Sequence, residues 1–160
     1  MGTELINVDF RAAEEADARA IRRIVQQARL APFNLDWRRF QIAEVDGNVV
    51  GVGQIRSHPD GVRELASIAV VPAWQNQGVA TRIITTLLGT QEGPLFLMCE
   101  SSLEGFYEPF GFRQIDVDRQ PRRLRRFVRL GNIFLNLREK IGADPIRIII
   151  MRRGEEDIHV

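Results

Sequence analysis

The chain has 160 residues, 44% of them hydrophobic, which is enough for one domain with a real core. A net charge of +1 at pH 7 excludes a function that rests on bulk attraction to nucleic acid or to a membrane surface. The single cysteine, Cys99, excludes an intrachain disulfide and a multi-cysteine zinc centre, and with only His58 and His159 as histidines no metal site is expected.

In chain order, residues 5–10 are expected to form a first strand. A helix follows over 14–30, with Ala20, Ile21, Ile24, Val25 and Ala28 on one face and Pro32 as its stop. A short turn over 34–39 takes Asn34 as its cap. Strands over 40–45 and 49–56 are joined by the hairpin signal Asp46-Gly47-Asn48. After the turn His58-Pro59-Asp60-Gly61 comes a long strand over 62–71, then a helix over 78–88 with Val79, Ile83, Ile84, Leu87 and Leu88 on one face. Leu95 to Cys99 reads as a strand buried on both sides, so residues 62–99 make a strand, crossover helix and parallel strand. A helix over 102–110, capped by Ser101 or Ser102, leads to a strand over 112–117, and the last strand spans 146–151. Residues 118–144 stand apart as an insertion. Six arginines fall between Arg119 and Arg129, and Leu124, Phe127, Val128, Phe134 and Ile141 share a helix side, with a break expected at Gly131-Asn132. The fold class is mixed α/β: one domain over 1–160, with a mostly antiparallel sheet flanked by helices and one parallel pair. No apolar run reaches membrane-spanning length and no secretory signal pattern opens the chain, so a cytoplasmic protein without a transmembrane segment is expected.

The stretch from Val70 to Thr81 carries the most chemistry. A strand that turns through small residues into a helix leaves backbone N–H groups without partners at the positive end of the helix dipole, which suits a phosphate or pyrophosphate. Gly78 and Ala80 let such an anion approach the backbone. In the strand before it, alternation puts Glu64 on one face with Ala66, Ile68 and Val70. A carboxylate on an apolar face is costly unless it is paired or binds a proton tightly, and tight proton binding is what a general base for an amine needs. The alternative is an edge glutamate paired with an arginine such as Arg63 or Arg56.

Two motifs resemble those of the GNAT superfamily of N-acetyltransferases. The first is Gln75-Asn76-Gln77-Gly78-Val79-Ala80; the second is Phe106-Tyr107-Glu108-Pro109-Phe110-Gly111-Phe112. The resemblance covers roughly residues 4–117 and the final strand. It implies acetyl-CoA as co-substrate, with its pyrophosphate on Gln75, Asn76, Gln77, Gly78, Val79, Ala80 and Thr81. It also implies that the backbone of Ile68, Ala69 and Val70 aligns the pantetheine arm, that Glu64 acts as general base, and that Tyr107 donates to the departing thiolate. Ala80 stands where glycine is common, Gln75 where arginine is frequent, and Glu100 or Ser101 where the family often has asparagine. The insertion is longer than the hairpin usually found there.

Tyr107, the only tyrosine, could instead pack the helix onto the sheet. Cys99 reads as a core thiol, His58 as a turn residue, and Glu100, Glu104 and Glu108 as solvated acids. Trp74 reads as an edge aromatic packed against the first helix. The arginine tract has three readings: a solvated amphipathic helix, a basic face that steers an anionic acceptor or binds coenzyme phosphates, or a patch for anionic membrane or nucleic acid. No nucleic-acid module is recognised, so no nucleic-acid partner is expected. The expected function is acetyl transfer from acetyl-CoA to a primary amine by direct attack in a ternary complex. The rivals are an acyl-CoA-binding sensor or interaction module without catalysis, and transfer of a longer acyl chain lodged against residues 127–137. The final strand and the inserted helix offer surfaces for a homodimer.

Overall fold

Asp46 and Gly47 take up left-handed backbone, with φ of 48° and 78°, as a two-residue hairpin turn demands at both of its central positions. They join β2 (Phe40–Val45) to β3 (Asn48–Ser57), antiparallel in register from Phe40–Gln54 to Val45–Asn48 with one bulge between Ala43 and Glu44. The computed structural model describes residues 7–139 and 147–154, without the side chains of 134–139. The chain divides into two compact units, residues 1–56 with 65–91 and residues 57–64 with 92–160.

In the first unit, β1 (Asp9–Ala12) pairs antiparallel with β2. The first strand therefore lies later than residues 5–10, of which 5 and 6 are outside the described residues. A 3-10 turn (Glu15–Asp17) leads into α1 (Ala18–Gln27), shorter than the helix expected over 14–30. Its stop is local rather than imposed by Pro32: Arg29 turns left-handed at φ 56° and the Leu30 N–H reaches back to the Val25 carbonyl. Asp36, not Asn34, caps the turn Trp37–Arg39, its Oδ1 accepting from the Arg38 N–H at 3.1 Å. Asn34 sits at φ 58° and accepts from Arg39 instead. Arg11 ties the sheet to the start of α1. It donates two bonds to Asp17, at 2.8 and 3.1 Å, and reaches Glu44 Oε2 at 2.5 Å. That pairing holds the Asp17 carboxyl below the usual carboxylate range.

β4 (Arg63–Val70) and α2 (Val79–Leu88) follow the sequence expectation closely. Ile21, Ile24 and Val25 of α1 pack with Phe40, Ile42, Val52 and Ala69. The stripe Val79, Ile83 and Leu87 of α2 lies directly on β3, and two glycines make room for it. A Cβ at Gly51 would stand 2.9 Å from Val79, and one at Gly53 would stand 2.6 Å from Ile68 and 2.7 Å from Ile83.

In the second unit, β5 (Leu95–Glu100) pairs in parallel with the start of β4 at Glu64–Phe96 and antiparallel with β7 (Ile148–Arg153). The last strand thus begins later than residue 146, which lies outside the described residues. The helix expected over 102–110 is a 3-10 turn (Ser101–Leu103), α3 (Glu104–Tyr107) and a second 3-10 turn (Glu108–Phe110), and neither Ser101 nor Ser102 caps it through its side chain. Pro109, which has no N–H to donate, sits in that last turn. The strand expected over 112–117 shortens to β6 (Arg113–Gln114), and a 3-10 turn takes up Val117–Arg119.

The insertion forms α4 (Arg122–Glu139), which runs unbroken through Gly131-Asn132. The reason is tertiary. Asn132 accepts from the Ile148 N–H at 2.8 Å and donates to the Ile148 carbonyl at 3.1 Å, while Gly131 admits the Ile148 side chain where a Cβ would stand 2.6 Å away. Leu124 and Val128 are buried with Ile150, but Phe127, expected on the same side, is exposed. The Phe134 side chain and Ile141 lie outside the description. The strand order is β1-β2-β3-β4-β5-β7-β6, mostly antiparallel, with β4–β5 parallel.

Candidate active site

In the first unit, the turn between β4 and α2 has the composition read from the sequence and a specific backbone. Trp74 and Gln75 donate their N–H groups to Val71 and Pro72, and the next donor is Arg82, to Gly78. Among the described residues, the N–H groups of 76–81 find no acceptor. Asn76 and Gly78 have φ of 59° and 80°, and a Cβ on Gly78 would meet nothing within 4 Å. The result is an open nest of donors at the positive end of a ten-residue helix. The side chains of Gln75 and Gln77 fold back onto the Val70 and Ala73 carbonyls, at 3.0 and 2.9 Å. They shape the turn and leave the backbone N–H groups of 76–81 open.

The strand leading to this turn departs from simple alternation. Ser67 has φ 57°, a left-handed residue that kinks a strand and resets which side chains face which way. The face shared by Glu64, Ala66, Ile68 and Val70 therefore does not run through the strand. Ala69 is buried against α1, while Ile68 and Val70 are half-buried. Ser67 Oγ accepts from Gln54 Nε2 at 3.0 Å, and Gln54 is wholly buried with no donor to its Oε1 among the described residues. Sequence reasoning missed both residues. A polar side chain in the middle of the run Val49–Arg56 was the available signal for Gln54; nothing local marks Ser67 as left-handed.

The second unit holds the titratable residues. Glu64 is 2% exposed and pairs with His58, Nε2 to Oε2 at 2.6 Å. His58 was read as a turn residue without chemistry. The turn is real, with the His58 N–H on the Val62 carbonyl and Gly61 at φ 81°, but it also returns the chain so that residues 58 and 64 meet. Arg63, offered as a partner for Glu64, donates to the Glu92 carbonyl.

Tyr107 is buried, edge-on to Phe106 and Phe112 with ring centroids 5.0 and 6.2 Å away. Among the described residues its hydroxyl has no hydrogen-bond partner. Burial first, and the neighbouring Cys99 second, push its ionisation well above the ordinary phenol range. The hydroxyl therefore keeps its proton and acts as a donor. Cys99 is pushed up to about 11, by burial and then by Glu104 and Glu100, and its Sγ lies 3.9 Å from Met151 Sδ. It is a protonated core thiol at neutral pH, not a nucleophile. Among the described residues no group of three His, Cys, Asp or Glu side chains could hold a metal, and no helix is long and apolar enough to cross a membrane.

Residues 36–114 match the family model of the acetyltransferase (GNAT) domain. The fold agrees with solved structures of that class. N-acetylglutamate synthase from Neisseria gonorrhoeae, complexed with coenzyme A and N-acetyl-glutamate, superposes with a TM-score of 0.66 at 20% identity, over 92% of this chain and 35% of that one. Rv2747 from Mycobacterium tuberculosis, in complex with coenzyme A, gives 0.65 at 21% identity over 92% and 99% of the two chains. An acyl-CoA N-acyltransferase from Pseudomonas aeruginosa gives 0.63 at 15% identity over 92% and 100%. No curated protein sequence matches. The chain spans about a third of the length of the N-acetylglutamate synthases it resembles. Just under half of the chain is thus similar to the acetyltransferase (GNAT) domain, and the chain shares the fold of solved acetyltransferases.

Proposed function

We propose that this protein transfers an acetyl group from acetyl-CoA to the primary amine of an acceptor by direct attack while both are bound. The observation that carries this reading is the nest of unpartnered N–H groups over 76–81, at the start of α2 and within the segment 36–114 that matches the GNAT domain. A diphosphate fits such a nest by charge and by the open space at Gly78. The structural neighbours with coenzyme A support the donor, and the synthase complexed with N-acetyl-glutamate supports an amine as acceptor.

In this reading, Gln75 to Thr81 hold the pyrophosphate and the backbone of Ile68, Ala69 and Val70 aligns the pantetheine arm. The chain over 1–160 is read as one acetyltransferase domain. Glu64 takes the proton that the acceptor ammonium must lose, directly or through water, and His58 holds the carboxylate in place. The freed amine attacks the thioester carbonyl, the carbon–sulfur bond breaks, the sulfur leaves as a thiolate, and the second proton on the nitrogen passes to that thiolate, directly or through water. Tyr107, a phenol that holds its proton at neutral pH and more tightly for being buried, donates a hydrogen bond to that thiolate. Most of the acceleration comes from holding amine and thioester together.

The test is release of free coenzyme A thiol from acetyl-CoA against a panel of amines, with Tyr107→Phe in parallel. Thiol release with at least one amine is expected. The variant is expected to lower kcat by about tenfold or more while coenzyme A binding is unchanged. Unaltered turnover removes Tyr107 from the mechanism. Binding of coenzyme A without thiol release to any amine favours a sensor.

A further inference from the structure

α4 presents a feature that acetyl transfer does not use. Arg122, Arg125, Arg126 and Arg129 recur at i, i+3, i+4 and i+7, which sets them along one side of the helix over roughly 10 Å. That side lines a cavity of about 880 Å³ within the second unit, closed opposite by Arg147, Ile148 and Ile149. Five guanidinium groups therefore line one concavity, and no carboxylate is among the lining residues. Arg125 donates to the Val117 carbonyl at 3.3 Å. Among the described residues the guanidinium groups of Arg122, Arg126, Arg129 and Arg147 make no ion pair or hydrogen bond.

Like charges crowded into one cavity repel each other unless an anion lies between them. Arginine is the residue whose planar fork matches phosphate and carboxylate oxygens two at a time. The floor, formed by Val128 and Ile148, is apolar and rigid, because Val128 is buried and Asn132 pins α4 to β7. The volume is that of a small-molecule site. A concave pocket of this size suits a compact ligand better than a nucleic-acid duplex, which needs a protruding element to enter a groove.

We infer that the cavity between α4 and β7 is a binding site for a small polyanion, a molecule with two or more phosphoryl groups, built from residues other than those of the turn before α2. The inference does not rest on the acyl-transfer reading, because none of its residues is assigned a step in that reaction. The ligand is held by its charge and by bidentate bonds to Arg126 and Arg129, with Arg122 and Arg147 extending the contact.

The experiment is titration calorimetry of the full chain with sodium tripolyphosphate at neutral pH and low salt. Binding at one molecule per chain is expected. Arg126→Gln together with Arg129→Gln should weaken it at least tenfold, and the corresponding double lysine variant should weaken it less, since charge remains and the fork is lost. Arg123→Gln, on the same helix but outside the cavity, should leave it unchanged, which separates the site from the general charge of α4. Four results overturn the inference: no binding of tripolyphosphate to the native chain, equal binding by the double glutamine variant, displacement of tripolyphosphate by desulfo-coenzyme A, or binding of a single-stranded oligonucleotide in its place. Displacement by desulfo-coenzyme A would assign the arginines to the cofactor; oligonucleotide binding would assign them to nucleic acid.

Discussion

Replacing Gly53 with alanine tests how α2 is seated, and with it the position of the N–H nest. The added methyl would lie 2.6 Å from Ile68 Cδ1, 2.7 Å from Ile83 Cγ2 and 3.3 Å from Leu87 Cδ1. The Ile68 atom is the end of a flexible, half-buried side chain and can swing away. The Ile83 atom is a branch at Cβ on a wholly buried residue, so it yields only if the helix moves. Overpacking of this kind costs about 1–3 kcal/mol, offset by about 0.5–1 kcal/mol from the lower entropy of alanine in the unfolded chain. A net loss of about 1–2 kcal/mol follows, with Tm falling by about 2–4 °C for each kcal/mol in a chain of this size. Urea and thermal denaturation measure it. Ile68→Val in the same background should recover part of the loss and no more, because the Ile83 contact stays. Since α2 carries the nest, KM for acetyl-CoA should rise more than kcat falls. A variant as stable as the native protein, or more so, would refute the close seating of α2 on β3.

Three further outcomes are expected. Glu64→Gln should lower kcat by about tenfold or more with coenzyme A binding unchanged, and His58→Gln, which keeps a donor to Glu64, should lose less than His58→Ala; unchanged kcat in Glu64→Gln points to another base. Asp17→Asn should destabilise the fold by about 1 kcal/mol after allowance for the solvent exposure of Arg11. Because Asp17 is held below the ordinary carboxylate range, its contribution is complete above the unfolded carboxyl's pKa and lost as pH falls through the folded one, so the native and Asp17→Asn stability curves should converge in acid and stay apart at neutral pH. Cys99, pushed up to about 11, should react with a thiol reagent at pH 8 on the order of 100-fold more slowly in the native protein than in urea; equal rates would show that the thiol is open to solvent.

Much of the fold was legible because its signals are local. The turn Asp46-Gly47 needs two left-handed residues, and few pairs other than Asn-Gly and Asp-Gly supply them cheaply. The apolar stripe of α2 marked a helix by its period, the continuous apolar run Leu95–Cys99 marked a strand, and the turn before α2 was visible in Gly78 and its small neighbours. What stayed hidden depended on partners distant in sequence. His58 met Glu64 only because the turn returned the chain, and the left-handed Ser67 is matched by Gln54 from the neighbouring strand. Gly131-Asn132 looked like a helix break because both residues favour turns. In the fold, Ile148 occupies the space beside Gly131 and satisfies both ends of the Asn132 amide.

Residue order alone determined where the chain turns, which stretches pair or coil, and that a backbone nest would open the second helix. These follow from each residue's own φ preference and from apolar spacing. Tertiary structure decided which charges meet. Glu64 found a histidine, Arg11 found two carboxylates, and the arginines of α4 were gathered around one concavity without any. Electrostatic pairing depends on separations of a few ångströms across the fold, and no local pattern encodes a distance between residues that only folding brings together.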